Sequence, residues 1–258
     1  MSTAIVPAQL DVSSTPRIPL TTLVRVELRK LADTRASRWL LVAIFALTAL
    51  LLVIFSLNAN ESDRTFRNFI QLTGTPQGFL LPVLGILLVT SEWSQRAALT
   101  TFTLMPVRGR GLLAKVLAAL IAGVIAYAVA VGLAAILTVV AGGPGAWSGI
   151  GLDDYAKYGL TQVSGVMQGL AFGLLFLNTA AAIVTFFVLP TVFTIVSSLW
   201  SPLGKAAHWV DLNTAQGPLL GGEHMTGKEW WQLASALAIW VVLPFVVGLV
   251  RVLRAEVK

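Results

Sequence analysis

The sequence predicts an all-α integral membrane protein of six transmembrane helices, with an N-terminal cytoplasmic amphipathic helix and both termini cytoplasmic. Three observations lead there. The 258 residues are 56% hydrophobic and 12% charged, with mean hydropathy +0.81. That is more apolar surface than a soluble domain of this length can bury. The apolar residues collect in six runs of spanning or near-spanning length, separated by short polar stretches. Finally, Lys and Arg are distributed unevenly. If the N-terminus is cytoplasmic, only Arg64, Arg67, Lys157, Lys205 and Lys228 of the 18 basic residues fall outside, as the positive-inside rule requires. The net charge of +6 is therefore a topology signal. No basic groove with interleaved aromatics points to nucleic acid.

Residues 1–19, rich in Ser, Thr and Pro, read as a disordered tail without a signal-peptide cleavage pattern. A single permease-like domain follows over 20–258. It opens on LVRVELRKL, where Leu20, Val24, Leu28 and Leu31 recur at helical spacing with Leu23 beside them, and Arg25, Arg29 and Lys30 fall on other faces. This is either an amphipathic helix lying on the cytoplasmic membrane surface or a plain juxtamembrane anchor. Asp33-Thr34 ends it.

The first span, 39–57, has only Thr48 and Ser56 as polar residues. The second, 69–91, starts at Phe69 or Pro76. The third, 112–141, is longer than a ~30 Å hydrocarbon core needs at ~1.5 Å per residue, so it tilts or starts in the interface. The fourth and fifth, 160–177 and 180–199, are joined by Asn178-Thr179 alone and form a tight hairpin. The sixth is 233–250. No span carries charge in its interior, with Lys115 grouped with Arg108 and Arg110 as headgroup cations.

Two connecting segments carry more than a turn requires. In 91–110, Ser91 caps a short helix with Glu92 in its first turn, and Glu92 and Arg96 stand four apart in the favourable order. Trp93 suits the interface, and Pro106 redirects the chain. The alternative is a solvated loop with a stray ion pair. The outer loop 201–232 holds Trp209, Trp230 and Trp231, a density that suits segments dipping into the outer interface.

Small residues recur every four positions at Gly165, Gly169 and Gly173, and again at Ala118, Ala122 and Ala126 within a longer alanine row. Such ridges let helices approach closely, within one chain or across a dimer. Pro82, Pro190 and Pro244 interrupt three spans. Gln162, Ser164 and Gln168 either line a pathway or hydrogen-bond between helices.

Enzymatic signatures are lacking. Cysteine is absent, and His208 and His224 have no metal-ligand spacing. Asp153-Asp154 reads as a solvated acidic pair. Gly222 to Lys228 matches the spacing of a phosphate-binding loop, but Glu229 stands where a Ser or Thr hydroxyl is needed. Ion-coupled carriers usually keep a charged residue near the midplane. A transporter without one, and without its own ATPase, draws energy from another subunit.

The LVRVELRKL helix, the six spans, the SEWSQRAALTTFTLMPVRGRGLLAK segment after span two, the LNTAAA turn at 177–182 and the outer loop before span six together resemble a type 2 ATP-binding cassette (ABC) exporter permease. The resemblance covers nearly the whole chain after residue 20. It implies a dimer of permeases, homo- or heteromeric, with two cytoplasmic ATP-binding subunits that hold the ATP and Mg. This chain itself would hold no cofactor and no metal. It further implies that Glu92, Arg96, Pro106 and Arg108 couple the permease to the ATPase. It places the protein in the cytoplasmic membrane, exporting an amphipathic or hydrophobic cargo such as a drug, antibiotic, peptide or lipid. The competing expectation is an ATP-independent secondary carrier or channel.

Overall fold

The computed structural model describes residues 18–94, 108–148, 151–221 and 224–254, and these contain helices and no strand. Helix α1 (Leu20–Asp33) is followed by α2 (Arg35–Asn58), a 3-10 turn (Glu61–Asp63), α3 (Phe66–Ser94), α4 (Arg108–Ala141), α5 (Leu152–Phe176) and α6 (Thr179–Leu199). Two short helices, α7 (Ser201–Val210) and α8 (Leu212–Gly221), lead into α9 (Gly227–Leu237), a π-helical turn (Ala238–Val242) and α10 (Leu243–Arg254). Six helical segments are long and apolar enough to cross a membrane, the last being Gly227–Arg254. The chain thus has the build of a multi-pass membrane protein.

The spans differ in their surroundings. In α3 and α5, 56% of the most apolar window is buried, against 11% in α6. Helices α3 and α5 form the centre of the bundle and make its most extensive contact. Helix α6 exposes Val184, Val188, Leu189, Val192 and Ile195. Without water at that surface there is no penalty for leaving those side chains uncovered by protein.

Helices α3 and α5 extend past their purely apolar runs because polar residues at their ends find partners. Helix α5 starts at Leu152, eight residues before the predicted Leu160. Asp154 accepts from Gly151 N, Lys157 donates to Asp153 four residues earlier (3.0 Å), and Arg67 donates to Asp154 (3.3 Å). Asp153-Asp154 is therefore not a plainly solvated pair, since Asp154 is buried. Helix α3 contains both Pro76 and Pro82, so the predicted start at 69 or 76 lies inside it. Its first turn is set by Phe66 N donating to Ala146 O and Asn68 N to Thr65 Oγ1. At its other end, Ser91 and Glu92 lie in the last turn of α3 rather than opening a short helix.

Leu177 (φ 52°) ends α5 in the left-handed region, and Asn178 Oδ1 accepts from Ala181 N to cap α6. The Thr90 and Thr179 hydroxyls, 2.8 Å apart, tie this hairpin to α3. Arg251 donates to Leu175 O at the C-terminal, electronegative end of α5. Helices α7 and α8 fold back onto the bundle. Leu212, Ala215 and Leu219 pack with Ile86, Phe172 and Trp240, and Trp240 Nε1 donates to Val210 O at 2.6 Å.

Candidate functional site

Helix α1 packs on the bundle mainly against α4, and its buried positions are Leu23, Glu27 and Leu31. They are spaced by four residues, so they share one face. A carboxylate in the middle of that face requires compensation, and two lysines provide it. Lys115 Nζ donates to Glu27 Oε2 (2.7 Å), to Glu92 Oε1 (2.9 Å) and to Leu88 O (3.2 Å). All three ammonium protons are used. Lys30 Nζ donates to Glu27 Oε1 (2.8 Å) and Glu92 Oε1 (2.7 Å). Side-chain exposures are 6% for Glu27, 9% for Lys115 and 11% for Glu92, against 40% for Lys30. Two negative and two positive charges make a neutral cluster.

The cluster also answers a local problem. Glu92 sits in the last turn of α3, where the helix dipole disfavours an anion. Two lysines on other helices offset that. Burial works against the Lys30 ammonium, but hydrogen bonds and attraction from Glu27 and Glu92 outweigh it and hold its pKa above the ordinary 10.5. The result joins three helices, α1, α3 and α4, at the two places where the chain enters and leaves 95–107.

Of the residues expected to couple to an ATPase, Glu92 is thus in the cluster, bonded to Lys30 and Lys115. Arg96 and Pro106 lie outside the described residues. Arg108 is the first residue of α4. Lys115, expected at the headgroups, is instead buried and ion-paired within α4, so a charge does stand inside a spanning helix. Arg110 donates to Ile18 O at 2.8 Å. Glu27 was not singled out by sequence, although it lies on the leucine stripe of α1.

The small-residue ridges face neighbouring helices of the same chain. A Cβ added at Gly169 would stand 1.9 Å from Pro82 O, and one at Gly173 3.1 Å from Ile86 O; at Gly165 the nearest atom is Pro82 Cγ, 3.6 Å away. Gly85 on α3 meets Val166 O in the same way, at 2.3 Å. Ala118 is fully buried, with Ala122 and Ala126 packed at the edge of the same cluster. Ser164 Oγ accepts from Gln216 Nε2 at 2.8 Å, joining α5 to α8. His224 is exposed, with Nδ1 3.9 Å from Asp153 Oδ2. No group of His, Cys, Asp and Glu able to hold a metal occurs among the described residues.

No family model and no curated protein matches this chain. The functional reading therefore rests on the residues and their geometry.

Proposed function

We propose that the chain is the transmembrane permease subunit of an ATP-driven exporter of the type 2 ABC class. It lies in the cytoplasmic membrane with both termini and 91–110 inside, and it works as a dimer beside two ATP-binding subunits that supply ATP and Mg. Its cargo is amphipathic or hydrophobic. The chain has no hydrolytic role of its own.

The observation that carries this reading is the Glu27–Lys30–Glu92–Lys115 cluster. An external motor acting on 95–107 needs a stiff connection to the bundle. Here the helices entering and leaving that segment are locked to each other and to α1 by short charge-assisted hydrogen bonds. A displacement of the segment would move three helices together, biasing one packed arrangement over another. Against an ion-coupled carrier, Lys115 and Lys157, the buried lysines of the spans, both sit near a helix start, and both are paired with carboxylates.

Purification from native membranes in mild detergent tests the proposal. The expected result is a co-eluting ATP-binding subunit in stoichiometric amount and ATP hydrolysis by the complex. A chain that elutes without such a subunit, and transports when reconstituted alone, would favour the carrier.

A further inference from the structure

A cavity of about 540 Å³ lies between α3, α4, α5, α6 and α8, within the ~300–1,000 Å³ typical of small-molecule sites. None of its lining residues is charged, yet half of them are polar. Its inner wall holds three glutamines, Gln77, Gln162 and Gln168, exposed by 1%, 7% and 7%. Gln77 Nε2 donates to Ala126 O at 3.3 Å, but Gln77 Oε1 has no partner among the described residues. That oxygen is sealed off from the cavity, so the amides a bound molecule can reach are those of Gln162 and Gln168, which keep some exposure to it.

The apolar half of the lining includes four aromatic side chains. Phe186 and Trp240 stand deep in it, and Phe79 and Phe187 stack at the edge with ring centroids 6.0 Å apart. Phe79 is 58% exposed, which puts an opening between α3 and α6, the side that faces lipid if α6 is lipid-exposed. At Gly74 and Gly78 a Cβ would meet nothing within 4 Å. Unlike Gly85 and Gly169, these glycines hold no helix close; their missing side chains enlarge the space.

We propose that this cavity binds an uncharged, hydroxyl- or amide-bearing aromatic molecule entering from the side between α3 and α6. A charged ligand would lose its hydration with no counter-charge in reach, at a cost of several kcal/mol. A neutral donor-rich one meets the glutamine amides and stacks on the rings. As the cargo site of a permease it rests on the exporter reading for its role, but binding itself needs neither ATP nor a partner.

The matched probes are 4-methylumbelliferyl β-glucoside and its carboxylate counterpart, the glucuronide, measured by equilibrium dialysis against the full chain in lipid nanodiscs. Saturable glucoside binding is expected, at least tenfold tighter than the glucuronide. Gly78→Leu fills the empty space and should weaken glucoside binding at least tenfold with unchanged thermal stability. Gln168→Leu, which removes an amide that a bound molecule can reach, should weaken it about fivefold. If Gly78→Leu does not fold, Thr191→Leu on the opposite wall replaces it. Absence of saturable binding, equal affinity for both probes, or wild-type binding by the variants overturns the proposal. Glucoside binding by a chain that recruits no ATPase would sink the exporter reading and leave this site standing; the reverse result would sink the site alone.

Discussion

Gly169→Ala should destabilise the bundle although it adds a single methyl group. The new Cβ would be 1.9 Å from Pro82 O and 2.6 Å from Pro82 C, where ordinary contact begins near 3.4 Å. The obstacle is backbone, so no rotamer change relieves it, and α3 and α5 must separate by about 1.5 Å at the centre of their contact. Overpacking of this kind costs about 3 kcal/mol at the upper end of its usual range. The better helix propensity of Ala returns about 1 kcal/mol, for a net loss of about 2 kcal/mol. Gly74→Ala is the control: with nothing within 4 Å of its Cβ, it keeps the propensity gain of up to about 1 kcal/mol. The two variants should therefore differ by about 3 kcal/mol in reversible unfolding titrated with SDS in mixed micelles and followed by tryptophan fluorescence. Equal stability of the two would refute the close-packed seam.

Lys115→Met leaves Glu27 and Glu92 without their most buried partner and should cost about 3 kcal/mol in the same titration. Adding Glu27→Gln should recover part of that loss, and a strictly additive double variant would show that the pair is uncoupled. Because the Lys30 pKa is raised, its contribution is fully present below 10.5 and is lost only as pH climbs through the higher folded value. The stability difference between wild type and Lys30→Met should thus be the same at pH 6 and pH 9; a difference that changes over that interval contradicts the assignment. Asp211 Oδ2 accepts from Thr214 N and Oγ1 at the start of α8, so Asp211→Ala should cost about 1 kcal/mol, read as a lower melting temperature.

Much of the architecture was legible because a lipid environment imposes a simple rule: long apolar runs become helices. The α2 run, with two polar residues, could hardly be read otherwise, and Asn178 is a recognisable cap. The sequence misleads where charge suggests solvent. Asp153, Asp154 and Lys157 looked like loop residues, but their spacing of three and four lets them pair on a helix. Lys115 looked like a headgroup anchor because its partners, Glu27 and Glu92, lie 88 and 23 residues away. Nothing local announces such a meeting. One sign was available: Glu27 interrupts the apolar stripe of α1, and a carboxylate there needs a cation across the interface. The cavity was less legible still. Gln162 and Gln168 were visible as polar positions in a span, but their convergence with Gln77 depends on how α3 and α5 pack.

Site-specific cross-linking is the most direct test of an external motor acting through 95–107. The chain contains no cysteine, so Thr100→Cys and Ser148→Cys each place a single thiol, the second in the turn between α4 and α5, at the opposite end of α4 from 95–107. With a bifunctional thiol reagent in native membranes, Thr100→Cys should capture an ATP-binding subunit, in a yield that changes when ATP is added, while Ser148→Cys captures none. Capture from Ser148→Cys instead, or no nucleotide-binding subunit at either position, would contradict the account.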